Sequence, residues 1–128
     1  MRVCDTLPAG EIHMTARELV KILEGEVISG ESRLDEEVQS IGAGDMMSDI
    51  LALAKPGMVV LTAHTSPQSV RTGMVTELLG LVVVQNKNIP PATVEMARMN
   101  DFLLIRTPFF MFSACGRLYT EGFKGIDG

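Results

Sequence analysis

The chain has 128 residues, 46 % hydrophobic and 21 % charged, which is enough apolar sequence for one domain with a real core. Mean hydropathy is high at +0.23, yet no apolar run reaches the ~20 residues that cross a bilayer, so no helical membrane span is expected. Net charge is −5 with 11 basic residues scattered along the chain; the basic stripe of a nucleic-acid binder is missing, and no nucleic acid is expected as a partner.

Residues 1–13 carry Pro8 and Gly10 without any period and read as a lead-in. Thr15 and Glu18 then have capping-box spacing, and Met14 and Leu19 that of a hydrophobic staple, which predicts a helix ending at Gly25. Val27-Ile28 is a short strand closed by Ser29-Gly30. Glu31 to Glu37 is acidic but lacks the oxygen spacing and turn glycine of a hard-cation loop, so it reads as a solvated connection and no metal is expected. Val38 to Ala43 is a weaker strand. Asp45 is the expected cap of a helix containing Met46, Met47, Ile50, Leu51 and Leu53.

Residues 56 to 86 form the clearest unit. Met58 to Leu61 is an apolar, β-branched run, and Ser66-Pro67 is a helix start in which a hydroxyl can cap free N–H groups and proline presets φ. Val70, Met74, Val75, Leu78 and Leu79 recur at helical spacing until Gly80, and Leu81 to Val84 follows as a strand apolar on both faces. This is a βαβ unit. Pro91 then opens a helix to Met99 with Asn100 as a left-handed cap; Phe102 to Ile105 is a strand, and Phe109 to Thr120 a final helix before Gly122. The prediction is a single α/β domain, a mainly parallel sheet with helices on both faces.

The motifs of several chemistries are missing: no phosphate-cradling glycine loop ending in Lys-Ser/Thr, no Gly-x-Gly-x-x-Gly, no Gly-x-Ser-x-Gly elbow. His13 and His64 are the only histidines, which excludes a multi-histidine metal site. Cys4 and Cys115 have no metal spacing, and with no signal-peptide pattern they read as reduced thiols in a cytoplasmic protein. No catalytic set and no cofactor is expected. What remains is positional, because ligands of an open parallel sheet sit outside the carboxyl ends of its strands. Those ends carry His64, Thr65, Ser66 and Gln68 after one strand, Gln85 and Asn86 after the next, and Thr107 after the third. With the N–H donors of the helix starting near Pro67, they form a candidate binding site for an anionic small molecule.

Ser48-Asp49-Ile50-Leu51, Ala54-Lys55-Pro56-Gly57, Leu61-Thr62-Ala63-His64, Leu79 to Val84 and Gly116-Arg117-Leu118-Tyr119, taken with their spacing, resemble the stand-alone DRTGG domain family. The resemblance divides the chain into a lead-in (1–13), a DRTGG-like domain (14–124) and a tail (125–128). The family's glycine pair falls after the strand Leu81 to Val84, where this chain departs with Gln85-Asn86-Lys87-Asn88. The resemblance implies a fold similar to the N-terminal domain of HPr kinase/phosphorylase. DRTGG domains also accompany CBS modules in regulated pyrophosphatases and lie within some phosphotransacetylases, so a regulatory or assembly role is implied.

The expectation is therefore a non-catalytic regulatory or ligand-binding domain for a nucleotide or phosphorylated metabolite, acting as an oligomer or with a separately encoded enzyme. One alternative is a ligand-free interaction module; another is a small enzyme using His64 with Asp49, which requires those two in hydrogen-bond reach. Phe109 to Phe112 are consecutive, so one sheet face cannot cover all four around a helix, and a homodimer interface there, joined by Met46 or Met47, is expected.

Overall fold

A computed structural model describes residues 14–127; the lead-in, with Cys4 and His13, and Gly128 of the tail lie outside the described residues. Helix α1 (Ala16–Ile22) leads into strand β1 (Glu26–Ser29), followed by β2 (Ser40–Ala43) and α2 (Met47–Leu53). Then β3 (Met58–Thr62), α3 (Pro67–Val75), β4 (Gly80–Val83), α4 (Pro91–Met99), β5 (Leu103–Arg106) and α5 (Met111–Thr120) alternate to the end. The five strands form one sheet in the order β1-β5-β4-β3-β2, parallel throughout except for β1, which pairs antiparallel with β5 at one edge.

Side chains along a strand alternate between faces, and each face has its own helices. Val59, Leu61, Val82 and Ile105 join Leu19 of α1 and Leu118 of α5 in one cluster. Val60, Leu81, Val83 and Leu104 join Ile50, Val70 and Ala97, one from each of α2, α3 and α4, in the other. Every residue of β3 and β4 is buried, as strands covered on both sides must be. The βαβ unit from β3 to β4 stands as predicted. So does the N-cap of α1, where the Thr15 hydroxyl accepts from the Glu18 N–H at 3.3 Å, although the Glu18 carboxylate does not complete the box and its Oε2 has no partner.

Helix ends differ from the sequence expectation in a consistent way. The C-terminus of α3 is set by Glu77, at φ 60°, and not by Gly80, which lies inside β4. Asp101, at φ 49°, takes the left-handed position after α4, while Asn100 is right-handed with φ −109°. In both places the next N–H reaches back five residues, Leu78 to Gly73 at 2.9 Å and Phe102 to Ala97 at 2.9 Å. The same bonds close α1, with Glu24 left-handed, and α5, with Gly122. At α3, α4 and α5 the following residue, Leu78, Phe102 or Phe123, is buried, and the left-handed site falls on whatever precedes it.

Three N-termini also depart from expectation. Met46, not Asp45, occupies the cap position of α2. Asp45 instead turns to the sheet, accepting from the Ala63 N–H at 2.7 Å and the Thr62 hydroxyl at 3.2 Å. The Ser66 hydroxyl caps no N–H of α3. Helix α5 begins at Met111, with Phe109 and Phe110 in the loop before it.

The acidic connection after β1 is a solvated turn with ion pairs from Arg33 to Glu36 at 3.0 Å and from Arg17 to Asp35 at 2.9 Å. The Arg17 guanidinium holds the Asp35 carboxyl below its ordinary value. No helix of the described residues is long and apolar enough to cross a membrane.

Candidate functional site at the carboxyl edge of the sheet

Register brings the candidate residues to one edge. Thr62 pairs with Val83 and Val83 with Arg106, so the segments after β3, β4 and β5 leave the sheet at one level, about 4.8 Å apart between neighbouring strands. After β3 the chain is fastened at its turn: the His64 N–H donates to the Thr62 hydroxyl at 3.1 Å, and the Thr65 carbonyl accepts the buried Thr93 hydroxyl at 2.6 Å. That second bond ties the start of α4 to the start of α3. Within α3, the Ser69 hydroxyl donates to the Ser66 carbonyl at 2.6 Å, so the first turn is closed without the Ser66 side chain. His64 and Gln68 are exposed, Thr65 and Ser66 half-buried.

After β4, Gln85 and Asn86 adopt left-handed conformations in succession, at φ 69° and 51°. Their N–H groups donate to the carbonyls of Phe109 and Thr107, both at 2.9 Å, binding the β4 loop to the β5 loop. Their side chains are therefore what these residues can offer a ligand. Thr107 is different. It is fully buried, its hydroxyl donating to the Leu23 carbonyl at 2.7 Å and accepting from the Phe109 N–H at 3.3 Å. That hydroxyl anchors α1 to the sheet edge, its one donor already used and the side chain shut off from solvent.

Lys87 and Asp45 were not among the sequence candidates. The Lys87 ammonium crosses from the β4 loop to donate to the Ala63 carbonyl at 3.2 Å, next to His64, and Arg106 reaches back to the Lys87 carbonyl at 3.5 Å. The signal available in the sequence was Lys87 directly after Asn86, at a strand end. Asp45 ties the β2 loop to the end of β3, and its place beside a switch from apolar strand to polar loop is the trace it leaves.

The catalytic pair of His64 with Asp49 is not assembled. No hydrogen bond or ion pair joins His64 to Asp49, both of them exposed. Cys115 lies on α5, its thiol pushed up by burial, the opposite of an activated nucleophile. Among the described residues no group of three or more His, Cys, Asp or Glu is arranged to hold a metal ion.

Three hollows open elsewhere. One of about 370 Å³ lies between α5 and the outer edge of β2; one of about 550 Å³ lies on the other flank of α5, against Lys21 and Ile22. The third, about 410 Å³, sits between β2 and α2 and is bordered by Asp45, Asp49 and Asp127.

No family model matches the chain, and no curated protein matches it. Solved structures similar to it include the CBS and DRTGG domains of the regulatory region of a Clostridium perfringens pyrophosphatase, complexed with its activator diadenosine tetraphosphate. The TM-score is 0.68 at 15 % identity, over 80 % of this chain and 45 % of that one. The fold is DRTGG-like. The chain spans less than half the length of that regulatory region. In the DRTGG-like fold of this chain, the place where the resemblance puts a glycine pair is where Gln85 and Asn86 hold positive φ. Glycine adopts that backbone shape at least cost, and Gln85 and Asn86 hold it while presenting two polar side chains at the edge.

Proposed function

We propose that this chain is a non-catalytic regulatory domain that binds a small phosphorylated ligand, a nucleotide or a phosphorylated metabolite, at the carboxyl edge between β3 and β4. The observation that carries this is the Lys87 ammonium held at 3.2 Å from the Ala63 carbonyl, beside the exposed His64 and the start of α3. A cation, an imidazole, the Ser66 hydroxyl and the Gln68 N–H of the first helical turn all face an anion favourably. Gln85 and Asn86 on the adjacent strand end supply amides for the neutral part of the molecule. No nucleophile and activated base stand together there, so the ligand leaves unchanged. The similar pyrophosphatase regulatory region was solved with a nucleotide activator, which supports the same class of ligand here.

In this reading the domain signals to other protein, as a homo-oligomer or beside a separately encoded enzyme in the cytoplasm. A second reading, an interaction module without ligand, is favoured by the hollows around α5 and β2, none of which His64 lines. The two separate in a thermal-stability screen against nucleotides and phosphorylated metabolites, because a ligand stabilises the state it binds. A concentration-dependent rise in Tm that is lost in Lys87→Ala supports the regulatory site. A flat screen leaves the interaction module.

A further inference from the structure

We propose that the hollow between β2 and α2 is a second binding site, for an organic cation with an apolar body. The group recognised is an alkylammonium or alkylguanidinium, carried by a small molecule or by a basic side chain of a partner protein. The hollow measures about 410 Å³. Met58 and Val60 of β3 lie at its floor beside β2, Ile50 and Leu53 of α2 form one wall, and residues 125–127 of the tail form the other. The tail is fixed there by the Lys124 carbonyl, which accepts from the Ile41 N–H at 2.8 Å. Met46, Leu53 and Ile126 border the hollow and are 62, 59 and 43 % exposed, so its apolar surface is not consumed by the subunit's own packing.

The chemistry of the occupant follows from the lining. Asp45, Asp49 and Asp127 carry its only polar side chains; every other lining residue is apolar or glycine, and no Lys, Arg or His borders it. An anion would be repelled, and a purely apolar molecule would strip water from the carboxylates without pairing them. A metal ion needs its oxygens gathered around one point, and among the described residues no group of three or more His, Cys, Asp or Glu is arranged so. A cation on an apolar stem satisfies both parts, its head against a carboxylate at the rim and its stem along Leu53, Met58 and Val60. Asp45 is already oriented: the Thr62 hydroxyl and the Ala63 N–H both donate to its Oδ1, bonds that leave Oδ2 to a ligand. Asp127 is turned back over the edge of β2, its Oδ1 3.3 Å from the point where a Cβ on Gly125 would stand. Asp49 lies in the first turn of α2 and joins none of the ion pairs among the described residues.

This goes beyond the phosphorylated-ligand reading and does not rest on it: Asp49 and Asp127 lie outside the strand ends that make that site, so either reading can fail alone. Heteronuclear NMR titration of the full chain with n-butylguanidinium and n-hexylammonium tests it, followed at the amides of Gly42, Gly44 and Gly125. Guanidinium, hexanol and hexanoate are the controls. The expected result is saturable shifts at those glycines with both amphipathic cations, and each control weaker by about tenfold or more. Asp49→Asn and Asp127→Asn are exposed positions, so the variants should keep the far-ultraviolet circular dichroism of the parent, and combined they should weaken binding about tenfold or more. Asp127→Asn alone lies outside any helix or strand and keeps the test intact where Asp49→Asn disturbs α2. The peptide acetyl-Leu-Arg-Leu-amide separates the two sources: tighter binding than n-butylguanidinium assigns the hollow to a partner's basic segment, weaker binding to a small molecule. No saturable shift with either cation, equal binding of hexanol or hexanoate, or an affinity that the folded aspartate variants leave unchanged overturns the proposal.

Discussion

At the residue scale, three acidic side chains occupy backbone positions that glycine fills at less cost. Glu24, Glu77 and Asp101 each hold positive φ at a helix C-terminus, where a left-handed L-residue costs roughly 1–2 kcal/mol and a negative charge opposes the helix dipole. Glycine gives back part of that gain as entropy of the unfolded chain. Glu77→Gly should therefore raise stability by up to about 1 kcal/mol, read as a shift in urea midpoint at unchanged slope. A lower midpoint would mean that the Glu77 side chain holds the turn after α3. Cys115 offers a second residue-scale test. Burial pushes its thiol up, so alkylation at Cys115 should be slow near neutral pH and go on rising with pH past the ordinary thiol range before it levels off. A plateau already reached at neutral pH would contradict that environment.

At the scale of elements, β4 is the decisive strand. Val83 is 1 % exposed between α3, α4 and the neighbouring strands, and Val83→Asp would place an unpaired charge there, destabilising by more than about 4 kcal/mol. A soluble, cooperatively melting Val83→Asp protein would refute the packing. The strands of the βαβ unit were legible because continuous apolar runs bounded by Pro56-Gly57 and Ser66-Pro67 admit few other readings. Helix stops were not. Gly80 looks like a stop, yet it is needed inside β4, where a Cβ would come within 2.7 Å of the Leu103 carbonyl oxygen. The true stop at Glu77 is written in the burial of Leu78, a tertiary fact. Likewise Asp45 has the residue type of a cap, but the bond to Ala63 across the sheet edge outcompetes the local one.

At the scale of the whole molecule, the sequence was enough to put the candidate residues at one edge of the sheet, because strands joined by helical crossovers run parallel and end on the same side. It did not tell which of them face solvent. Thr107 shows this: polar, at a strand end, and committed wholly to Leu23 and Phe109. Lys87 shows the converse, since its reach across to Ala63 depends on the register of β3 and β4. The proposed site joins His64, Thr65, Ser66, Gln68, Gln85, Asn86 and Lys87. A charge-assisted hydrogen bond contributes roughly 1.5–3 kcal/mol, so removing one should weaken binding about tenfold or more.

Titration calorimetry of the parent and of His64→Ala against a panel of nucleotides and phosphorylated metabolites tests the binding claim most directly. His64 is exposed and outside both buried clusters, so the variant should keep the fold. The account predicts saturable binding of at least one phosphorylated compound to the parent, weakened about tenfold or more in His64→Ala. No binding across the panel, or an affinity that His64→Ala leaves unchanged, would contradict it.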